Sequence, residues 1–85
     1  MKVHAWKAHD DIIMCVQYMD GYILSGAKDN LIKLWKVDEK KIPILQAVYK
    51  GHTDNIVSVA FSPKDLSMIA SVSNDSTLKL WDAQK

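Results

Sequence analysis

The sequence contains no arginine and only one cysteine, Cys15, among its 85 residues. Without arginine the chain lacks the side chain that clamps phosphate groups through paired hydrogen bonds, and a formal net charge of +1 indicates no basic surface for nucleic acid. One cysteine excludes an internal disulfide and a cysteine-based metal site. No apolar run approaches the length of a membrane span and nothing resembles a signal peptide, so we expect a soluble intracellular protein with no membrane partner.

The sequence also lacks a convincing stretch of helical periodicity, whereas short runs rich in β-forming residues recur between turn signals. Asp20-Gly21 lies between two such runs and predicts a hairpin, because both residues tolerate positive φ. Pro43 restricts the strand that follows it to residues from Ile44 onward. The eight predicted strands span residues 3–6, 12–18, 22–27, 31–37, 44–49, 56–61, 67–72 and 77–82.

Two segments of the chain share one design. In each, a serine is followed four residues later by an aspartate at a polar turn, and six residues after that by a tryptophan. A histidine precedes the serine by 16 residues in the first segment and by 19 in the second, and a length change at a hairpin tip leaves a sheet intact. The repeated residues are His9, Ser25, Asp29 and Trp35, and then His52, Ser71, Asp75 and Trp81. A duplicated unit of this kind indicates a repeat architecture.

This pattern resembles two WD40 repeats that cover essentially the whole chain. Gly51-His52 and Trp81-Asp82 match the family signature in the second repeat, whereas the first has Ala8-His9 and Trp35-Lys36 in their place. The resemblance implies an all-β fold of two four-stranded antiparallel β-propeller blades, whose strands are lettered a to d from the channel outward. It implies a first repeat at about residues 7–41, a second at about 50–85, and residues 1–6 as the outer strand of a neighbouring blade.

The resemblance also implies that the eight repeated residues form two structural networks. In each network the aspartate accepts hydrogen bonds from backbone N–H groups and from the histidine, the histidine bonds the serine hydroxyl, and that hydroxyl meets the indole N–H. Histidine, serine and aspartate also make up a hydrolase triad, but a triad occurs once, with its serine exposed on a strained turn. Here the set occurs twice without a Gly-x-Ser-x-Gly elbow, so we expect neither an enzyme nor a cofactor.

The implied strand order is d-abcd-abc, which leaves the second blade without its outer strand. One explanation is that the chain is a piece of a longer protein with further blades. The other is self-association, in which residues 1–6 of one copy complete the second blade of a neighbour. Roughly three or four copies would then form rings of six or eight blades. The first explanation is favoured, because a stable repeat array needs roughly three or more units.

In this family, protein or peptide partners bind on the face that carries the d–a and b–c loops. The resemblance carries the binding positions over to Ile12, Met14 and Lys28 in the first blade and to Asn55, Val57 and Asn74 in the second. Two apolar residues beside a lysine would suit an acidic-apolar peptide, and methionine is an adaptable contact residue. Packing between blades is an equal alternative for Met14 and Val57.

Four other residues have simpler expected roles. We expect Cys15 to be a small buried hydrophobe rather than a reactive thiol. Tyr18 and Phe61 occupy matched positions in the two repeats and are predicted to lie in the core. His4 is predicted to be exposed on an outer strand.

Two hypotheses about function follow. The first is a non-enzymatic scaffold for protein–protein interactions in a multiprotein complex, in the cytoplasm or the nucleus. The second is an RNA-associated subunit, because segments 27–29, 32–35 and 50–53 are similar to tandem-propeller subunits of the U3 ribonucleoprotein, the small-subunit processome, which implies a role in ribosome biogenesis and a nucleolar location. Scattered lysines and the burial expected for Trp35 and Trp81 argue against direct contact with nucleic acid.

Overall fold

The computed structural model describes residues 5–40, 42–62 and 67–83. Within these ranges every regular element is a β-strand, which confirms the predicted all-β fold. The strands are β1 Ile13–Met19, β2 Tyr22–Ala27, β3 Ile32–Val37, β4 Pro43–Tyr49, β5 Ile56–Phe61, β6 Met68–Ser73 and β7 Leu78–Asp82. Strands β1 to β4 form one antiparallel sheet in chain order, here called the first sheet, and β5 to β7 form the second sheet.

Tight turns with left-handed residues connect the strands. Asp20 and Gly21 have φ values of 51° and 83°, which gives the two-residue hairpin between β1 and β2 that the sequence predicts. Asn30 and Ser76 have φ values of 69° and 73° and occupy the same position in the β2–β3 and β6–β7 turns. In both turns the amide of this residue donates to the carbonyl oxygen three residues earlier at 3.2 Å. The two repeats therefore share their turn geometry.

The described residues contain seven strands rather than the eight that were predicted. Residues 3 and 4 of the first predicted strand, and with them His4, lie outside the described residues, while Ala5 and Trp6 are not in a strand. Pro43 is itself the first residue of β4, so the predicted start at Ile44 was wrong by one residue. Proline is tolerated there because β4 is an edge strand of its sheet and the first residue of a strand can lack an N–H donor.

The core lies between the two sheets, and the strand registers determine which residues enter it. Residues opposite one another in an antiparallel pair share a face, and successive residues alternate between faces. We call the face that carries the serine and tryptophan of a network the front face of its sheet, and the other the back face. The buried core consists of Leu24, Ile32, Leu34 and Tyr49 from the back face of the first sheet and Ile56, Val59 and Ile69 from the front face of the second.

Gly26 allows the two sheets to approach closely. A Cβ atom at this position would overlap Cγ2 of Ile56 and would lie 2.9 Å from Sγ of Cys15. Ile56 is fully buried, and Cys15 is half-buried against the core, as expected for a small hydrophobe. Burial raises the pKa of the Cys15 thiol. The glycine is therefore required by packing, because its missing side chain makes room for Ile56.

The prediction that Tyr18 lies in the core was wrong, since the side chain is 67% exposed. Its register partner is Ile23, which is opposite Trp35, so Tyr18 lies on the front face of the first sheet. Phe61 has the matched position on the second sheet, where the first sheet covers it and packs it against the core. The difference arises because no described residue plays the same covering role for the first front face.

Candidate functional site

In the first sheet the four repeated residues form one continuous hydrogen-bonded network. His9 Nδ1 lies 2.9 Å from Asp29 Oδ2, and His9 Nε2 lies 2.8 Å from Ser25 Oγ. Trp35 Nε1 donates to the same Oγ at 3.1 Å. Because His9, Ser25 and Trp35 are buried, each of their polar groups needs a partner. The network joins the segment before β1 to β2, to β3 and to the turn between them.

The second sheet contains the same network at matched distances. His52 Nδ1 lies 2.9 Å from Asp75 Oδ2 and His52 Nε2 lies 2.7 Å from Ser71 Oγ, to which Trp81 Nε1 donates at 2.8 Å. His52 and Ser71 are buried, and Trp81 is half-buried. The structure therefore brings the eight repeated residues together as two sets of four, one in each sheet.

Thr77 extends the second network, and sequence reasoning missed it. Its hydroxyl donates to Asp75 Oδ1 and lies 3.2 Å from His52 Nδ1. The amide of Thr53 also donates to this carboxylate, at 3.0 Å to Oδ2. The first repeat has Leu31 at the position of Thr77, so the signal was a hydroxyl two residues after the turn aspartate in one repeat only.

One arrangement of protons satisfies every member of both networks. The serine hydroxyl accepts the indole N–H and donates its own proton to Nε2 of the histidine. The histidine is then neutral, with its proton on Nδ1, and it donates that proton to the aspartate. We assign this tautomer from the hydrogen-bond partners, since each acceptor then faces a donor.

Hydrogen bonds lower the pKa values of both aspartates. For Asp75 the hydroxyl of Thr77 makes the largest contribution, and His52 and backbone amides add to it, so that its pKa lies well below the usual range despite an opposing effect of burial. For Asp29 burial is the largest single influence and raises the pKa. Bonds from His9 and from backbone amides together outweigh it, and the pKa of Asp29 is lowered overall.

We expect the free energy of unfolding to fall as the pH falls from about 5 to about 3, because Asp75 then takes up a proton in the unfolded chain before it does so in the folded one. A depressed folded pKa stabilises the fold above the unfolded pKa, and this contribution is lost on acidification. Asp75→Asn should lower stability at neutral pH and make it less dependent on pH in this window. Urea unfolding at several pH values measures both the stability and its dependence on pH.

Asp10→Asn, at an exposed carboxylate, serves as the control. Equal pH slopes in Asp75→Asn and the parent would contradict the expectation.

The order of hydrogen bonds from aspartate through histidine to serine is that of a hydrolase triad, so access to the serine is the deciding property. Ser25 is 3% exposed and Ser71 is 1% exposed. Each hydroxyl oxygen also accepts an indole N–H, which occupies one of its lone pairs. This arrangement holds strands together and gives neither hydroxyl a free approach to a substrate.

The six predicted partner-binding residues lie at one end of the two sheets. The amide of Lys28 donates to the carbonyl oxygen of Ile12 at 2.9 Å, and the amide of Asn74 donates to that of Asn55 at 3.0 Å. These pairs join the start of β1 to the end of β2 and the start of β5 to the end of β6. Because β1 and β5 lie against each other, the two pairs are side by side, and we call this end of the molecule the loop edge.

A β-bulge in each repeat gives Met14 and Val57 their direction, and the sequence did not predict it. The register of β1 with β2 shifts between Ile13 and Cys15, and that of β5 with β6 shifts at the matched position. A bulge redirects the side chain of the unpaired residue. Met14 and Val57 are 43% and 44% exposed, so neither is buried between the two sheets. Of the other four candidates, Ile12, Lys28 and Asn74 are exposed and Asn55 is half-buried.

The described ranges contain neither a candidate metal site nor a membrane-spanning helix. No group of three or more histidine, cysteine, aspartate or glutamate side chains among these residues is placed to hold a metal ion. The same residues include no helix of the length and hydropathy needed to cross a membrane.

The family model described as "WD domain, G-beta repeat" matches residues 1–36 and 44–82. The chain is 36% identical over 63 residues to the Denticleless protein homolog of Danio rerio, covering 73% of this chain and 9% of that protein. It is 33% identical over 82 residues to nuclear distribution protein PAC1 of Ajellomyces capsulatus, covering 93% of this chain and 17% of that protein. It is 39% identical over 61 residues to protein transport protein SEC13-2 of Candida glabrata, covering 68% of this chain and 20% of that protein.

The fold is similar to that of a solved structure, the computationally designed Ika4 protein. The TM-score is 0.74 at 24% sequence identity, over 87% of this chain and 42% of that one. At this identity the likeness establishes the fold alone. The chain spans a fifth or less of the length of the three curated relatives named above. The predicted boundaries of the two repeats stay predictions.

Proposed function

Because the chain belongs to the WD40 repeat family, we propose that it is a non-enzymatic scaffold whose loop edge binds protein or peptide partners within a multiprotein complex. The proposed location is inside the cell, in the cytoplasm or the nucleus. The serines of the two networks act only as structural groups in this proposal, because both are buried and bonded to an indole.

The observation that carries the proposal is the pair of matched bulges at the loop edge. They direct Met14 and Val57 outward from strands that otherwise pack against each other. Exposed apolar side chains held by a rigid backbone bind a partner with little loss of conformational freedom. The backbone bonds of Lys28 and Asn74 hold the ends of β2 and β6 in place beneath them.

The side chains of the loop edge favour one class of ligand. Ile12 is 59% exposed and lies beside Met14 and Lys28, which gives the first repeat an apolar surface with one cation. The second repeat adds Asn74, an exposed amide that can both donate and accept hydrogen bonds. An extended peptide with apolar and acidic residues would satisfy all of these groups.

Lys28→Glu is expected to weaken the binding of such a peptide about tenfold, because it replaces attraction to an acidic residue by repulsion. The probe is the strongest binder that the parent chain selects from a displayed random peptide library, made synthetically and titrated by fluorescence polarisation. The matched control is Lys40→Glu, the same change of charge at an exposed lysine in the loop between β3 and β4, at the opposite end of the sheets. Equal affinities of the two variants, or selected peptides without acidic residues, would contradict the proposed ligand class.

The RNA-associated role stays a prediction, and a salt titration tests it. A single-stranded RNA oligonucleotide that contacts the protein through its phosphates loses affinity steeply as salt rises. The scaffold proposal predicts weak binding without that steep dependence. Tight, strongly salt-dependent binding that Lys28→Glu reduces would favour the RNA role.

A further inference from the structure

Two apolar faces of the chain are not covered by another sheet within the described residues. One is the front face of the first sheet and the other is the back face of the second. Tyr18 on the first is 67% exposed, and Leu78 and Leu80 on the second are each 64% exposed. Other exposed apolar residues of these faces are Ile13, Val16 and Leu45 on the first and Met68 and Val72 on the second. Continuous apolar surface of this kind marks an interaction site.

The open front face repeats the front face that is already buried inside the chain. The matched pairs, with the residue of the open face first, are Ile13 and Ile56, Val16 and Val59, Tyr18 and Phe61, Ile23 and Ile69, and Trp35 and Trp81. Four of these five pairs contain identical residues, and the remaining pair, Tyr18 and Phe61, differs by one hydroxyl group. The second member of each pair lies on the face that packs against the back face of the first sheet. The first members therefore fit a back face of the same kind.

The open back face is such a surface. Its residues and their buried counterparts are Ala70 for Leu24, Val72 for Gly26, Leu78 for Ile32 and Leu80 for Leu34. Leu24 is large and Gly26 has no side chain, whereas Ala70 and Val72 have side chains of smaller and intermediate size. The two side chains of each set together contain the same number of carbon atoms. Of the other two pairs, Leu80 and Leu34 are identical, and Leu78 and Ile32 are aliphatic residues of the same size. Cores tolerate exchanges that conserve volume and apolar character.

Trp6 provides a second, independent correspondence. Tyr49, the last residue of β4, reaches from the outer strand of the first sheet to Trp81 of the second, with ring centroids 5.5 Å apart. Trp6 contacts Trp35 in the same way at 5.7 Å. Trp6 therefore stands where the outer strand of a preceding sheet would end. Among the described residues the second sheet has three strands, and β7 is at its edge without an outer strand beside it.

We propose that a second copy of this chain covers these faces. The back face of the second sheet in one copy packs on the front face of the first sheet in the next, as the two sheets already pack within one copy. Trp6 of the next copy then lies near the open edge of β7. The contact is head-to-tail, so each copy uses both of its open faces and roughly three or four copies close a ring.

The solution mass of the 85-residue chain tests this proposal. Sedimentation equilibrium over a wide range of concentrations should give a mass of roughly three or four chains. Val16→Glu blocks the open front face and Leu80→Glu blocks the open back face, and each should reduce the mass to that of one chain. Both residues are exposed within a single copy, so a charge there does not disturb its own core. Ile42→Glu places the same charge at an exposed apolar residue in the loop between β3 and β4 and should keep the parent mass.

Mixing the two variants tests the direction of the contact. Val16→Glu retains a good back face and Leu80→Glu retains a good front face, so an equimolar mixture should form a complex of one chain of each. An isologous contact would not give this result, because each variant would then pair or fail to pair with itself. Circular dichroism verifies folding, and Tyr18→Lys and Leu78→Lys replace either variant that unfolds.

Several results would overturn the proposal. A parent chain that keeps the mass of a single chain at every concentration shows that copies do not associate and that another partner or further chain covers the faces. Variants that stay folded and keep the parent mass show that copies associate elsewhere. A mixture without pairing excludes the head-to-tail contact.

Discussion

Ile56→Ala is expected to lower the free energy of unfolding by about 3–4 kcal/mol. Ile56 is fully buried between the two sheets, and its Cγ2 occupies the space that the missing side chain of Gly26 leaves. The substitution removes apolar contacts with both sheets and leaves a cavity in the core between them. Urea unfolding followed by circular dichroism measures the change. The control is Val57→Ala, one residue along the same strand at an exposed position, which should change stability by less than about 0.5 kcal/mol.

A double-mutant cycle with Gly26→Ala sharpens this prediction. Alone, Gly26→Ala should destabilise by about 1–3 kcal/mol, because the added methyl group overlaps Ile56. Combined with Ile56→Ala, the methyl group enters the cavity and the total loss should be smaller than the sum of the two single losses. Additive losses would show that Gly26 and Ile56 do not share this space, and a small loss for Ile56→Ala alone would show that the sheets do not depend on this contact.

Ser71→Ala is expected to lower the free energy of unfolding by about 2–4 kcal/mol. The hydroxyl is the acceptor for Trp81 Nε1 and the partner of His52 Nε2, so its removal leaves two polar groups without a bond in a largely buried site. The change in volume is small, so the loss reports hydrogen bonding rather than packing. Thermal and urea unfolding measure it. Ser58→Ala, at an exposed serine of β5, is the control and should be nearly neutral.

The same substitution separates a structural network from a catalytic one. Ser25→Ala should destabilise the first sheet in the same manner, because Ser25 has the same two partners as its counterpart. If the serines are structural, both variants lose stability and keep peptide binding at temperatures below their unfolding transitions. A variant that keeps full stability but loses a measurable hydrolytic activity would contradict this role.

The parts of the fold that were predictable from sequence are those that local spacing determines. The offsets from Ser25 to Asp29 and from there to Trp35 are repeated in the second segment, and they place the turns and strands of both sheets. The Asp20-Gly21 hairpin follows from residues that tolerate positive φ. In these cases the signal and the structure lie within a few residues of each other.

Other features depend on partners that are distant in the chain, and the sequence did not reveal them. The bulges at Met14 and Val57 arise from pairing with β2 and β6, and no residue type marks them. The exposure of Tyr18 could not be predicted from its likeness to Phe61, because burial depends on whether a sheet covers the face. Thr77 was missed because only one of the two repeats has a hydroxyl there.

Hydrogen exchange at the indole N–H groups, followed by NMR, tests most directly whether a buried serine anchors each sheet. In the parent chain the indole protons of Trp35 and Trp81 should exchange slowly, whereas that of the exposed Trp6 should exchange fast. In Ser71→Ala, protection should be lost at Trp81 and kept at Trp35. Fast exchange at both indoles of the parent, or equal loss at both in the variant, would contradict the two separate networks.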